Sequence, residues 1–113
     1  MGGPRRVCKW LIVAVLANPI TLWVHPRVAP APADLRLVLT IPTHHDNRYW
    51  RVDLSSATSP YARASAEAME GARSPIVYEV YWRDIPAGEY DVVAHVGGRA
   101  GLRGSDRSFV VFR

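Results

Sequence analysis

The chain has 113 residues, with fourteen Lys/Arg against ten Asp/Glu and a single cysteine. That length holds one small domain, and one cysteine excludes a disulfide-stapled scaffold. The formal net charge of +4 comes entirely from the first 33 residues, where Arg5, Arg6, Lys9 and Arg27 stand without an acid; from Asp34 onward ten basic residues meet ten acidic ones. A neutral body behind a basic leader argues against a nucleic-acid partner.

Basic residues, then an apolar run, then a small-residue stretch is the layout of an export signal or a membrane anchor. The run Trp10 to Val24 is apolar apart from Asn18 and Thr21. It is shorter than the ~17–20 residues a bilayer-spanning helix needs, and Asn18-Pro19 interrupts it, since proline breaks a helix from within. A hydrophobic N-terminal helix is expected here, in one of two roles. As a signal peptide it is removed at Ala31-Pro32-Ala33, a small-x-small pattern that puts Asp34 first in the mature chain. Cleavage after Ala29 is excluded by Pro30, and Val15-Leu16-Ala17 is a weaker, earlier option. As an uncleaved anchor it keeps Arg5, Arg6 and Lys9 in the cytoplasm by the positive-inside bias. Both roles divide the chain into a leader over 1–33, ending in a Pro/Ala-rich linker, and an exported domain over 34–113. Cys8 precedes the apolar run, so the exported part has no cysteine; thiol catalysis and cysteine-ligated metal are excluded there.

The domain reads as strands. Leu35, Leu37, Leu39 and Ile41 alternate with other residues, as do Trp50, Val52 and Leu54, then Ile76, Tyr78, Val80 and Trp82, then Tyr90, Val92, Ala94 and Val96. Period-two patterns rich in Val, Ile, Tyr and Trp argue half-buried strands. Phe109 to Phe112 supplies a last short one whose inward face is open. Between Ser55 and Pro75, alanine content favours a helix, yet Ala62, Ala64, Ala66 and Ala68 alternate with Arg63, Ser65, Glu67 and Met69. A strand with a small-residue face is preferred. Pro42 to Asn47, Asp84 to Gly88 and Gly97 to Gly104 separate the strands with residues that suit turns. Five to seven antiparallel strands at this spacing make an all-β sandwich.

Trp82 to Val92 (WRDIPAGEYDV) resembles the (R)DLPAGxYxV hairpin of bacterial exported immunoglobulin-like domains, and transthyretin-like sandwiches carry a similar turn. Pro42, Asp46, Asn47 and Arg48 match a Pro-x-x-x-Asp-Asn-Arg-like loop of small exported proteins with one such domain. The resemblance covers Leu35 to Phe112 and implies a small Ig-like β-sandwich of uncharacterised function. Tyr90 plugs the core beside its turn. An ordinary core aromatic is the preferred reading, and a hydroxyl returned to the loop, as in a tyrosine corner, is the alternative.

Few residues carry chemistry. His44, His45 and Asp46 form the one cluster of metal-ligating types, and imidazole suits copper or zinc. The competing reading is a polar turn, because nothing at Cys₂His₂ or HxxH spacing completes a site; His95 is the one other histidine of the exported part. The serines lie in no nucleophile context, and no two carboxylates are set up for split acid and base roles. Arg99, Arg103 and Arg107 around a glycine-rich turn suit an exposed loop better than an anionic surface. Tyr49 and Tyr81, with Val77, Val93 and Val111, fall on strand faces assigned to solvent, where Tyr-rich apolar surface suits a protein interface; the equal alternative is that both tyrosines simply pack the sandwich. The sequence therefore points to a non-enzymatic exported envelope module, periplasmic or extracellular. It binds another envelope protein through Tyr49 and Tyr81 or its loops, touches the membrane only if the leader is retained, and needs no cofactor. The alternative is a metal or small-ligand carrier using His44, His45 and Asp46.

Overall fold

The computed structural model describes residues 18–113. Two sheets face each other across one core. The smaller contains β1 (Thr21–His25), β3 (Ala33–Thr40) and β6 (Val77–Ile85), with β3 in the middle; the larger runs β2 (Val28–Ala29), β8 (Gly101–Phe112), β7 (Gly88–Gly98), β4 (Tyr49–Ser55) and β5 (Arg63–Ala68). The all-β sandwich expected from the alternation is present. Among the described residues it has eight strands rather than five to seven, and the two-residue β2 runs parallel to β8.

The alternating sets form the core. Leu35, Leu37, Leu39 and Ile41 point inward from β3 and its end, and Trp50, Val52 and Leu54 from β4; Tyr90, Val92, Ala94 and Val96 do so from β7 and Val80 and Trp82 from β6. Val110 and Phe112 are the buried pair of the last strand, and Phe109 faces out. The Ile76 set is displaced at its start, where Ile76 is 48% exposed. The alanine-rich segment is a strand, β5, paired with β4 from Tyr49↔Ala68 to Leu54↔Arg63. Its alanine face is the outer one: Ala64, Ala66 and Ala68 are exposed, while Ser65 turns toward the core side.

The sandwich begins before residue 34. Thr21–His25 is a full strand of the smaller sheet, antiparallel to β3 from Thr21↔Thr40 to His25↔Arg36. Ile20 and Val24 are buried, at 0% and 3% exposure, and Ala33 lies within β3 at 6%. Residues 20–24 therefore belong to the sandwich, not to a helix. The cause is an alternation hidden in an apolar run: Ile20, Leu22 and Val24 face the core, and Thr21, Trp23 and His25 face solvent. Arg27 to Ala31 continue into the fold, with Val111 donating to the Arg27 carbonyl at 2.7 Å and Ala31 to that of Arg113 at 2.8 Å. The remainder of the expected helix lies outside the described residues. Among those described, no helix is long and apolar enough to cross a membrane.

The segment expected as a hairpin at Asp84 to Gly88 is a corner between the sheets, because β6 pairs with β3 and β7 pairs with β4 and β8. Asp84 takes the left-handed angle, φ 58, which an Asp tolerates better than most residues. Its N–H donates to Asp34 Oδ1 at 3.1 Å. Gly88 is needed for space, since a Cβ there would sit 2.9 Å from the Tyr90 ring. Tyr90 is both things the sequence allowed. It is fully buried, and its hydroxyl donates to the Pro86 carbonyl at 2.8 Å. The preference for a plain core aromatic is thus corrected to a corner tyrosine.

Candidate interaction surface

The outer face of the smaller sheet presents two large aromatics. Strand alternation drives them out: Val24 and Trp82 take the inward positions, so Trp23 and Tyr81 point to solvent, 47% and 58% exposed. β3 lies between them. Its Val38 pairs with Trp23 and Glu79, and its Arg36 pairs with His25 and Tyr81. Val77 adds apolar area at the Thr40 end of the sheet.

These rings are braced from the side. The Trp23 and His25 rings stack at 5.8 Å with planes 13° apart. The Arg36 guanidinium lies 5.8 Å from the Trp23 centroid, and that of Arg83 lies 5.9 Å from the Tyr81 centroid. A cation over an aromatic face contributes about 0.5–1 kcal/mol at exposed sites. Arg36 is also paired with Glu79 across the strands, an exposed ion pair of the kind that contributes little by itself. The result is a sheet face whose exposed aromatic rings lie beside charged side chains.

Tyr49 is not part of it. It projects from β4 on the outer face of the other sheet, so Tyr49 and Tyr81 lie on opposite sides of the sandwich. The expected shared face is therefore corrected; a strand's register decides which sheet face a residue joins. Tyr49 lies over its cross-strand partner Gly97, where a Cβ would run into the ring. Its neighbours on that face are exposed alanines of β5 and the Arg51–Asp53 pair, joined at 2.8 Å. Val93 and Val111 belong to this second face also. Trp23 was missed because it fell in the segment read as leader. The signal that would have found it is the Ile20, Leu22, Val24 alternation.

The 42–48 loop is a packed arch. Asn47 is 1% exposed; its Nδ2 donates to the Pro42 carbonyl at 3.1 Å, and its Oδ1 accepts from the Arg103 guanidinium. Asp46 Oδ1 accepts from the Arg99 N–H at 3.2 Å, and Arg48 Nε stands 3.7 Å away. These contacts hold the Asp46 carboxyl below its usual range, the Arg99 N–H being the main cause. His44 Nδ1 accepts from the Asp46 N–H at 3.0 Å, and the His44 and His45 rings stack at 4.4 Å. Local desolvation first, then the Arg103 charge, lowers the His44 pKa.

His44, His45 and Asp46 are thus close in space, but a ring nitrogen of His44 and an oxygen of Asp46 already serve backbone amides. Among the described residues no three His, Cys, Asp or Glu side chains converge as a metal site. His95 stands in the middle of the outer face of the larger sheet, between Arg51 and Ser105. Arg99, Arg103 and Arg107 do not act together. Arg99 is in a tight two-residue turn between Gly98 and Gly101, Arg103 holds Asn47, and Arg107 sits further along β8 opposite Val93.

No protein-family profile matches the chain, and no curated protein matches it either. Solved structures do. A superoxide reductase (neelaredoxin) from Ignicoccus hospitalis is similar with a TM-score of 0.62 at 10% identity, over 85% of this chain and 81% of that one. The human F-spondin reeler domain gives 0.60 at 13% identity, over 85% and 90%. The PmoD soluble domain from Methylocystis sp. ATCC 49242 (Rockwell) gives 0.56 at 10%, over 86% and 93%. At such identities the likeness is one of fold, a two-sheet sandwich that hosts unrelated roles. The superoxide reductases are enzymes, but a fold shared at this distance transfers no activity.

Proposed function

We propose that this protein is a non-enzymatic exported envelope module that binds a partner protein through the outer face of its β1–β3–β6 sheet. The observation that carries this reading is the pairing of exposed Trp23 and Tyr81 with Arg36 and Arg83 against their rings. Trp, Tyr and Arg are the residue types in which binding hot spots concentrate. Rings already braced in the free protein lose less freedom on binding. Exposed apolar surface rimmed by polar residues commonly marks an interaction site. Export is supported by the sequence: a basic, acid-free start, an apolar run, and a body without cysteine.

The test is crosslinking in the envelope with three forms of the full-length chain. Wild type and Tyr49→Ser are expected to capture the same partner. A Trp23→Ser/Tyr81→Ser double variant, folded by circular dichroism, is expected to lose it. Equal capture by the double variant, or loss with Tyr49→Ser alone, rejects the assignment of this face.

A further inference from the structure

We infer that the chain is processed at the Ala17–Asn18 peptide bond, so that the mature protein begins at Asn18. This rests on the export reading and deepens it. The observation is the place of β1. A cut between Ala33 and Asp34 removes β1 and β2 together, including the buried Ile20 and Val24 and every pair from Thr21↔Thr40 to His25↔Arg36. It also removes the Leu22 N–H that donates to Asp106 Oδ2 at 2.8 Å, a tie between the two sheets. A peptidase acting there would leave β3 as an open edge over an uncovered core.

The same strand shortens what remains for the leader. With residues 20–24 committed to the sandwich, the apolar run before it is Trp10 to Ala17, eight residues. A spanning helix needs ~17 or more, whereas a signal-peptide core needs ~7–15. The run is preceded by Arg5, Arg6 and Lys9 and ends in Val15-Leu16-Ala17, with small or β-branched side chains one and three residues before the bond. Beyond the bond, Asn18 is exposed, and Pro19 already packs on Gly104, where a Cβ would lie 2.6 Å from its Cγ. Asn18 Oδ1 accepts from the Ile20 N–H at 3.4 Å, so the domain's contacts are under way within two residues of the bond. In the reaction, water adds across the Ala17–Asn18 amide. A carboxylate is left on Ala17 and an amino group on Asn18, and the catalytic groups come from a membrane-bound signal peptidase.

The experiment expresses the full-length chain in a bacterial host, separates envelope from cytosol, and reads the N-terminal residues and intact mass of the recovered protein. Envelope protein starting Asn-Pro-Ile-Thr is expected. An Asn18→Pro variant, which puts proline directly after the bond, is expected to accumulate at full length in the membrane fraction. Envelope protein starting at Asp34, or wild type retained at full length in the membrane, overturns the processing site while export stands. Full-length protein confined to the cytosol overturns export itself, and the processing site with it.

Discussion

Asp106 on β8 accepts a hydrogen bond from the Leu22 N–H on β1 at 2.8 Å, joining strands 84 positions apart that belong to different sheets. Among the described residues β1 is an edge strand, and its outer backbone groups have no neighbouring strand to pair with. A carboxylate from the opposing sheet takes one of them. The bond is charge-assisted, and Asp106 also accepts from the Arg107 N–H at 2.9 Å. Asp106→Ala is expected to lower stability by about 1–3 kcal/mol, read from urea denaturation. Asp106→Asn keeps an acceptor oxygen and is expected to recover most of that loss. Equal losses in the two variants would place the effect in charge rather than in the bond to Leu22.

The corner between β6 and β7 depends on Tyr90 in a similar way. Its ring packs against Tyr61 and Phe112, with centroids 6.1 and 6.2 Å away. Its hydroxyl reaches Pro86 four residues upstream, and burial raises its pKa. Tyr90→Phe keeps the ring and removes the bond. A loss of about 1–2 kcal/mol is expected from the unpartnered carbonyl and the missing donor. Denaturation midpoints that coincide with wild type would show that the hydroxyl does not hold the corner.

The core was legible where apolar and polar residues truly alternate. β3, β4 and β7 show this plainly, and their inward residues are the buried ones. β1 was not legible, for a physical reason. Its outward Trp23 and Leu22 beside it are both apolar, so hydropathy reads a continuous run where the backbone makes a two-sided strand. The pairing of sheets was hidden too. Asp84-Ile85-Pro86-Ala87-Gly88 suits a hairpin and a corner equally well by turn chemistry, and which one forms depends on whether β7 finds β6 or the distant β4 and β8. The candidate surface was half visible: Tyr81 stood out, whereas Trp23 was lost with the leader and Tyr49 was credited to the wrong side.

Acid should weaken the 42–48 arch in two stages. His44 has its pKa lowered in the fold, chiefly by desolvation and then by Arg103. The unfolded chain therefore binds the proton more readily, and stability falls as pH drops through about 6.5 and below. Asp46 has its pKa lowered by the Arg99 N–H. Its contribution is full above about pH 4 and is lost as pH falls through the lower folded value. His44→Asn, which keeps an acceptor near the Nδ1 position, should remove the upper stage only; Asp46→Asn should flatten the lower one. Thermal midpoints from pH 7.5 to 3 check both. A wild-type profile that rises on acidification between pH 7 and 5 would contradict the sign for His44.

The edge where β5 meets β6 offers a test of which face of the alanine strand matters. Trp82 is 2% exposed, and its Nε1–H donates to Ser65 Oγ at 3.0 Å. β5 and β6 belong to different sheets, so this bond closes that side of the sandwich as Leu22 and Asp106 close the other. Ser65→Ala leaves the indole N–H buried without an acceptor, at an expected cost of about 1–3 kcal/mol. Ser65→Thr retains the oxygen and suits a strand, so it should stay near wild type. Ala66→Ser alters the neighbouring residue on the outward face, where a surface change is worth within about ±0.5 kcal/mol. If Ala66→Ser proved the costly change and Ser65→Ala the neutral one, β5 would pair with β4 in a register shifted by one residue, and its alanines would line the core.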